Sequence, residues 1–293
     1  MFKLVTPYIK IVRPVNVGIT GCAVALGIWL TLPAAAYPLL AAQMAMAAAM
    51  AAAAYGNVIN DILDIKSDRV SHPNRPLANG SMTAHTAAIL AIMLIITSLL
   101  CAWAASTFHL AAAAVPIILL TLYSIYFKRT RITGNIIVAS LVAYALMFGA
   151  LPRPETKILI APAILAFLLN FCRELVKDVQ DAAGDKAAGW RTSAELPAGT
   201  IKGLLAGAAG IYAVIMLIPS VVLGDFGTVY TIICLIAIIP LHIYWVTLMF
   251  RGGVKKYAKK IGAALKLEMV AGLLAMGMDR IFSLLSHKIL PFF

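Results

Sequence analysis

The chain is expected to form an all-α bundle of nine transmembrane helices, and three observations carry that expectation. Hydrophobic residues fill 62% of its 293 positions and charged residues 12%, whereas a soluble domain is nearer half apolar and about one quarter charged. The apolar residues gather in runs long enough for a helix to cross a bilayer core, which takes about 20 residues, and the mean hydropathy is +0.94. The polar remainder is unevenly placed: six of the eight aspartates stand in two short groups, each directly behind an apolar run.

The first span, 14–32, opens at Arg13-Pro14. Its apolar run lacks a small-residue cleavage site, so it reads as a retained span and not as a removed signal peptide. The second, 36–59, is dominated by alanine from Ala41 to Ala54, with Met44, Met46 and Met50 interspersed. Small residues let membrane helices approach closely, which suits a packing helix at the centre of the bundle and equally a wall of a substrate cavity. A polar segment, 60–83, follows, then spans 84–106 and 110–127, the latter ending in the stretch Tyr123–Arg129. Spans 133–151 and 157–177 lead to a second polar segment, 178–200. Spans 201–223 and 227–250, a basic stretch at 251–260 and a last span at 262–286 complete a single domain over 1–293. Because the acidic groups follow the second and sixth spans, spans 1–4 and 5–8 are expected to be two related four-helix units, with the ninth added.

The net charge is +12. With the N-terminus inside, only Arg153, Lys157, Arg280 and Lys288 of all the lysines and arginines fall outside, the asymmetry of the positive-inside rule. It places the N-terminus and the segments 60–83 and 178–200 on the cytoplasmic side of the cell membrane. It also accounts for the basic surplus through topology and contact with anionic headgroups, without nucleic acid. The outer connections, such as Thr31-Leu32-Pro33, Ser106–Phe108 and Gly224–Gly227, are too short to do more than reverse the chain, so function belongs on the inner face. Cys22, Cys101, Cys172 and Cys234 lie in or beside apolar stretches without CxxC spacing, and read as packing residues rather than a disulfide or zinc framework.

The two acidic groups, Asp61/Asp64/Asp68 and Asp178/Asp181/Asp185, share one spacing, three residues and then four. Glu174 extends the second, and Asn57 stands in the equivalent place of the first. On a helix advancing ~100° per residue, Asn57, Asn60, Asp61, Asp64 and Asp68 project within about 100°, and Glu174 to Asp185 within about 60°. Carboxylates on one stripe repel each other unless a cation neutralises them, and acids beside hydrocarbon point to function. The cation that fits is Mg2+, which takes one or two carboxylates and completes its shell with water and phosphate oxygens. Two such groups facing one another would hold several ions around one diphosphate. Arg75 in Asn74-Arg75-Pro76, Lys128 and Lys177 stand closest in sequence to the acids and are expected to meet phosphate. Arg13, Asn16, Arg129, Arg131 and Arg173 lie on the same face, where a basic residue also serves as a topological anchor. His72, His85, His109, His242 and His287 show no metal-ligand spacing, and no Gly-rich phosphate loop, GxSxG or HExxH sequence occurs.

These residues resemble the UbiA superfamily of intramembrane prenyltransferases. Asn60-Asp61-x-x-Asp64-x-x-x-Asp68 followed by Asn74-Arg75-Pro76 looks like its first signature, and Arg173-Glu174-x-x-Lys177-Asp178-x-x-Asp181-x-x-x-Asp185 like its second. Arg13-Pro14-x-Asn16, the Tyr123–Arg129 stretch and the nine-span layout also match, over essentially the whole chain. The resemblance implies Mg2+-dependent transfer of a prenyl group from an isoprenoid diphosphate to an acceptor, at a site opening toward the cytoplasm. Carried over, Asn60, Asp64, Asp68, Asp181 and Asp185 would serve the metals, with Asp61 and Asp178 supporting them. Arg75, Lys128 and Lys177 would contact diphosphate, and Arg13, Asn16, Tyr123 and Arg173 would complete the substrate contacts. Asp64, Asp181, Lys128 and Arg75 are the expected catalytic residues. Tyr123, Tyr126, Tyr144 and Phe148 are expected either to line the prenyl cavity or to pack and anchor the bundle. The second signature looks most like the branch acting on geranylgeranylglyceryl phosphate, a lipid acceptor, although Gln180 stands where the family often has a fourth acid. An aromatic acceptor of the quinone or chlorophyll type is the alternative. A divalent-cation transporter would set its carboxylates nearer the bilayer midplane on broken helices, and a CDP-alcohol phosphotransferase would carry a DGxxAR-type motif that is absent here.

Overall fold

The computed structural model describes residues 2–31, 39–151 and 154–289. Leu32-Pro33, the first three residues of the second expected span and Arg153 lie outside them. Among the described residues every regular element is helical. In chain order these are α1 (Phe2–Val12), α2 (Pro14–Leu30), α3 (Leu39–Leu63), α4 (Ile65–Ser71), α5 (Ala84–Ala105), α6 (Thr107–Ile125) and α7 (Thr133–Phe148). They continue as α8 (Ile160–Ala188), α9 (Ala198–Ile215), α10 (Ile218–Val221), α11 (Thr228–Ile233), α12 (Ile239–Gly252) and α13 (Val254–Ile289).

Seven helices among the described residues are long and apolar enough to cross a membrane, and an eighth span forms if α1 and α2, bent by 48°, count as one. α7 is a shorter apolar helix of 16 residues. The outward faces carry Ile92, Met93, Trp103, Val214, Ile236 and Leu274, all exposed, as contact with lipid requires.

Two polar segments between the expected spans contain helix. The chain from Ile160 runs unbroken to Ala188, so the polar segment 178–200 begins as eleven further residues of α8. Nothing between Lys177 and Ala188 breaks a helix, and Gly189 ends it at φ 76°, where the absence of a Cβ removes the steric penalty. The segment 60–83 likewise starts inside α3, and after a break at Asp64 (φ −95°, ψ 3°) re-forms as α4.

Three apolar clusters hold the bundle. The largest joins α2, α7, α8, α9, α12 and α13 through residues such as Leu26, Leu146, Leu175, Leu205, Trp245 and Leu265. A second packs Tyr55 and Val58 of α3 against Ala87 and Ala91 of α5, with Leu77 and Met82 from the intervening loop. The third sets the alanines of α3 against Val24, Ile28, Ala102 and Phe148, so the Ala-rich span is the central packing helix. α2 and α7 come so close that a Cβ on Gly27 would lie 2.0 Å from the Leu146 carbonyl oxygen.

Candidate active site

α3 and α8 bring their acidic ends to one end of the bundle, and α4 lies against the last turns of α8. Their approach depends on Gly184, where a Cβ would meet Ser71 Oγ at 2.2 Å and the Ser67 carbonyl oxygen at 2.5 Å. Ser67 Oγ donates to Asp185 Oδ1 at 3.1 Å, Ser71 Oγ donates to the Asp181 carbonyl at 3.2 Å, and the Gly184 N–H donates back to Ser71 Oγ at 3.1 Å. His72 Nε2 meets Asp181 Oδ1 at 2.8 Å. The two acidic groups are thus stitched together by the short helix between them.

The carboxylates are deeply placed: Asp61, Asp64, Asp68, Glu174 and Asp185 are all buried, while Asp178 and Asp181 are half-buried. Cations lie directly on them. Arg13 pairs with Asp61, and Lys128 with Asp64 Oδ2. Arg75 Nη1 reaches Asp68 Oδ1 at 2.6 Å and Asp61 Oδ1 at 3.4 Å. Arg173 and Lys177 hold the two oxygens of Glu174 at 2.6 and 3.2 Å. The Lys128 and Arg129 heads also lie over the Trp190 ring, 5.2 and 5.4 Å from its centroid, a cation–π support.

Burial raises the Asp68 carboxyl above its ordinary pKa despite the Arg75 contact, and repulsion from Asp64 and Asp61 adds to the rise. For Arg75 burial acts against the charge, but Asp61 and Asp68 outweigh it and its pKa is raised. Crowded, desolvated carboxylates of this kind favour a further cation.

One atom shows where such a cation fits. Asp64 Oδ1 is buried without a hydrogen-bond partner, although a buried polar group of this type is normally satisfied. The oxygens around it are hard donors of the sort Mg2+ prefers. Among the described residues no three carboxylate, imidazole or thiol groups are drawn together as a ready ligand set, consistent with Lys128 and Arg75 occupying the acids. Asp178 is turned elsewhere: its Oδ2 accepts from Asn135 Nδ2 at 3.0 Å, from the Ser193 N–H at 3.3 Å and from Ser193 Oγ at 2.5 Å. It pins α7 and the segment after α8 to the site. Asn60 Oδ1 accepts from Ser124 Oγ at 2.7 Å, and Asn57 donates to the Val12 carbonyl at 2.9 Å.

Beside the acids opens a cavity of about 300 Å³. Its polar head is lined by Arg13, Asn16, Asn57, Asn60, Arg173, Glu174 and Lys177, and its walls by Ala52, Gly56, Leu120, Leu141, Leu165, Leu169 and Leu273. Tyr123 is buried in its lining, and Tyr144 and Phe148 line it deeper in. Tyr126 is exposed and does not reach it. Asp64, Asp68, Asp181 and Asp185 are not among the lining residues; they sit past its head.

Arg13 joins α1 to α2 at φ 54°, the one non-glycine residue with positive φ among those described. That strained backbone aims its guanidinium at Asp61, and such strain clusters at functional sites.

Several residues of the site escape a sequence reading. His72 meets Asp181 across 109 positions. Lys266 and Glu268 of α13 line the cavity. Glu268 is fully buried and accepts from His242 Nδ1 at 2.8 Å and Trp245 Nε1 at 2.7 Å. The signal for these two was available: they are the only acid and base inside the last apolar run before Asp279.

The chain is 34% identical over 213 residues to digeranylgeranylglyceryl phosphate synthase of Methanopyrus kandleri, covering 71% of this chain and 74% of that one. It is 28% identical over 269 residues to the synthase of that name from Methanothermobacter thermautotrophicus, covering 92% and 94%. A solved structure of digeranylgeranylglyceryl phosphate synthase in membranes superposes with a TM-score of 0.74 at 27% identity, over 96% of this chain and 100% of that one. A UbiA homologue from Archaeoglobus fulgidus, solved with GPP and Mg2+, shares the fold at a TM-score of 0.68 and 18% identity, over 92% and 99%. The sequence model of the UbiA prenyltransferase family matches residues 20–267. That stretch takes in both acidic helix ends and most of the cavity lining, and on it this multi-pass membrane protein belongs to the UbiA prenyltransferase family.

Proposed function

We propose that the enzyme transfers a prenyl group, geranylgeranyl, from its diphosphate to the free hydroxyl of geranylgeranylglyceryl phosphate, a step in ether-lipid synthesis. The observation that carries the reaction type is the pair of acidic helix ends, held together by α4 and covered by cations, at the head of an apolar cavity. The choice of acceptor rests on the likeness to the two synthases named above.

On this reading Asn60, Asp64, Asp68, Asp181 and Asp185 would hold Mg2+, with Asp61 and Asp178 in support. The bound metal would supply charge for the departing diphosphate as the allylic C–O bond breaks. The chain's own residues do the rest. Arg75 and Lys128 turn from Asp68 and Asp64 toward the phosphates, and Lys177 reaches them from the cavity side. Their fixed charges stabilise the leaving group as its charge develops. The walls formed by Ala52, Leu120, Leu141 and Leu169 seat the prenyl chain and keep water from the allylic centre. His72 keeps the Asp181 carboxylate oriented.

The placement of the protein follows the same reading. Nine spans are formed if the bent α1–α2 pair and the short α7 both cross the bilayer, as one domain over 1–293 with two four-helix units and an added helix. The N-terminus and the site face the cytoplasm, in the plasma membrane, as the distribution of lysine and arginine favours.

Purified enzyme offered geranylgeranyl diphosphate with a panel of glyceryl phosphates and phenolic acids should form product with geranylgeranylglyceryl phosphate. Product with a phenolic acid alone would overturn the choice of acceptor in favour of an aromatic one.

A further inference from the structure

Lys266 lies about one turn into the last expected span, 262–286, within the candidate membrane-spanning stretch Val254–Ser286 of α13. It lines the cavity, and among the described residues it forms no hydrogen bond or ion pair. An ionisable side chain within an apolar helix that lacks a partner marks a functional position. The charged groups that act on it are Arg173, Arg13, Glu174 and Lys177. The cavity head therefore gathers four cations, Arg13, Arg173, Lys177 and Lys266. Glu174 and Asp61, the latter shared with Arg75, pair with three of them, and Glu268, the other acid in the lining, is engaged by His242 and Trp245. Arg75 and Lys128, which sit on Asp68 and Asp64, do not line this cavity. The cations of the site thus divide into Arg75 and Lys128, which lie outside the cavity lining, and four that line it, of which Lys266 alone is seated on no acid.

We propose that Lys266, with Arg13 and Arg173, forms a second anion subsite within the cavity, which binds the phosphate monoester of the lipid acceptor. A phosphate monoester carries close to two charges at neutral pH and offers three strong acceptor oxygens. Arg173 and Arg13 supply planar forks for it and Lys266 a point charge. Two separate groups of cations let the acceptor phosphate and the prenyl diphosphate bind together without competing for the same arms. Such a subsite also selects against acceptors that lack the phosphate, because they forgo the charge-assisted contacts that the phosphate would make with its cations. The assignment rests on the reading of the acceptor given above.

The test uses the full-length enzyme in phosphatidylcholine nanodiscs, with geranylgeranyl diphosphate as donor. It compares geranylgeranylglyceryl phosphate with the corresponding dephosphorylated alcohol. Wild type should use the phosphorylated acceptor with the higher kcat/KM. Lys266→Met should raise its KM at least about tenfold, the loss expected for one charge-assisted contact. The KM for the donor should stay unchanged, which also reports that the variant is folded, and Lys266→Arg should recover most of the loss. Turnover of the alcohol by Lys266→Met should match that of wild type. An equal loss on both acceptors would place a bilayer headgroup, not the acceptor, at the subsite and overturn the proposal, as would a rise in donor KM or an unchanged acceptor KM. Failure of wild type to use either glyceryl acceptor would instead overturn the reading of the acceptor itself.

Discussion

Replacing Gly184 with alanine tests whether the two acidic helix ends must be held at their observed separation. The added Cβ would lie 2.5 Å from the Ser67 carbonyl oxygen and 2.2 Å from Ser71 Oγ, where ordinary contact begins at 3.4 Å. Ser71 Oγ can rotate away, giving up its bond with the Gly184 N–H. The Ser67 carbonyl cannot, since it belongs to the backbone of α4, so α4 must move off α8 by about 1 Å. Overpacking of this kind costs about 1–3 kcal/mol of stability. The larger effect falls on activity: Asp68 moves with α4 away from Asp181 and Asp185, and a misplacement of about 1 Å can lower a rate by roughly 100-fold. The assay is kcat for prenyl transfer in detergent or nanodiscs beside the thermal unfolding midpoint. Gly199→Ala is the control, since a Cβ there meets nothing within 4 Å. A Gly184→Ala enzyme with wild-type kcat would refute the argument that the spacing of α4 and α8 sets the chemistry.

Asp64→Ala and Asp181→Ala should each abolish Mg2+-dependent transfer while the protein still inserts in membranes; full activity in either would remove the metal assignment. Chelation of divalent metal should stop turnover reversibly, with activity restored by added Mg2+ and the helical circular dichroism unchanged. Glu268→Leu leaves His242 Nδ1 and Trp245 Nε1 without their acceptor, and should lower stability by about 1–3 kcal/mol for each unsatisfied group. The equivalent loss should be absent when Glu268 and His242 are replaced together by apolar residues and Trp245 by phenylalanine.

Much of this was legible in the sequence, for reasons that differ between the parts. The apolar runs announce spans because backbone in hydrocarbon must bond within itself. The stripe from Glu174 to Asp185 was readable because one helix carries it from end to end. The first stripe was readable only to Asp61. Nothing in Asp64-Ile65-Lys66 signals that the helix ends and restarts there as α4, which sets Ser67 and Ser71 against α8. The role of Asp178 as a clasp for Asn135 and Ser193 depends on which helices lie side by side, as does the meeting of His72 with Asp181. Spacing along a helix cannot reveal such contacts between helices. α8 runs past the end of its apolar span because its last turns are polar, and an apolar run marks only the part of a helix that crosses the membrane. Gly189 was the better marker of its end.

The pairing of Lys128 with Asp64, and of Arg75 with Asp68 and Asp61, bears on how this enzyme lives between turnovers. A newly made chain must bring its acidic helix ends to the membrane before any ligand arrives. With ammonium and guanidinium groups already seated on Asp61, Asp64 and Asp68, the bundle closes around carboxylates that are partly neutralised. On the proposed function, loading the site becomes an exchange of partners, in which each arm that leaves an acid is freed for a phosphate. The net gain on loading is smaller than for an empty, highly charged pocket, and so is the barrier to letting diphosphate go. An active site built on exchange favours release over retention, which suits an enzyme whose leaving group would otherwise be held by every cation around it.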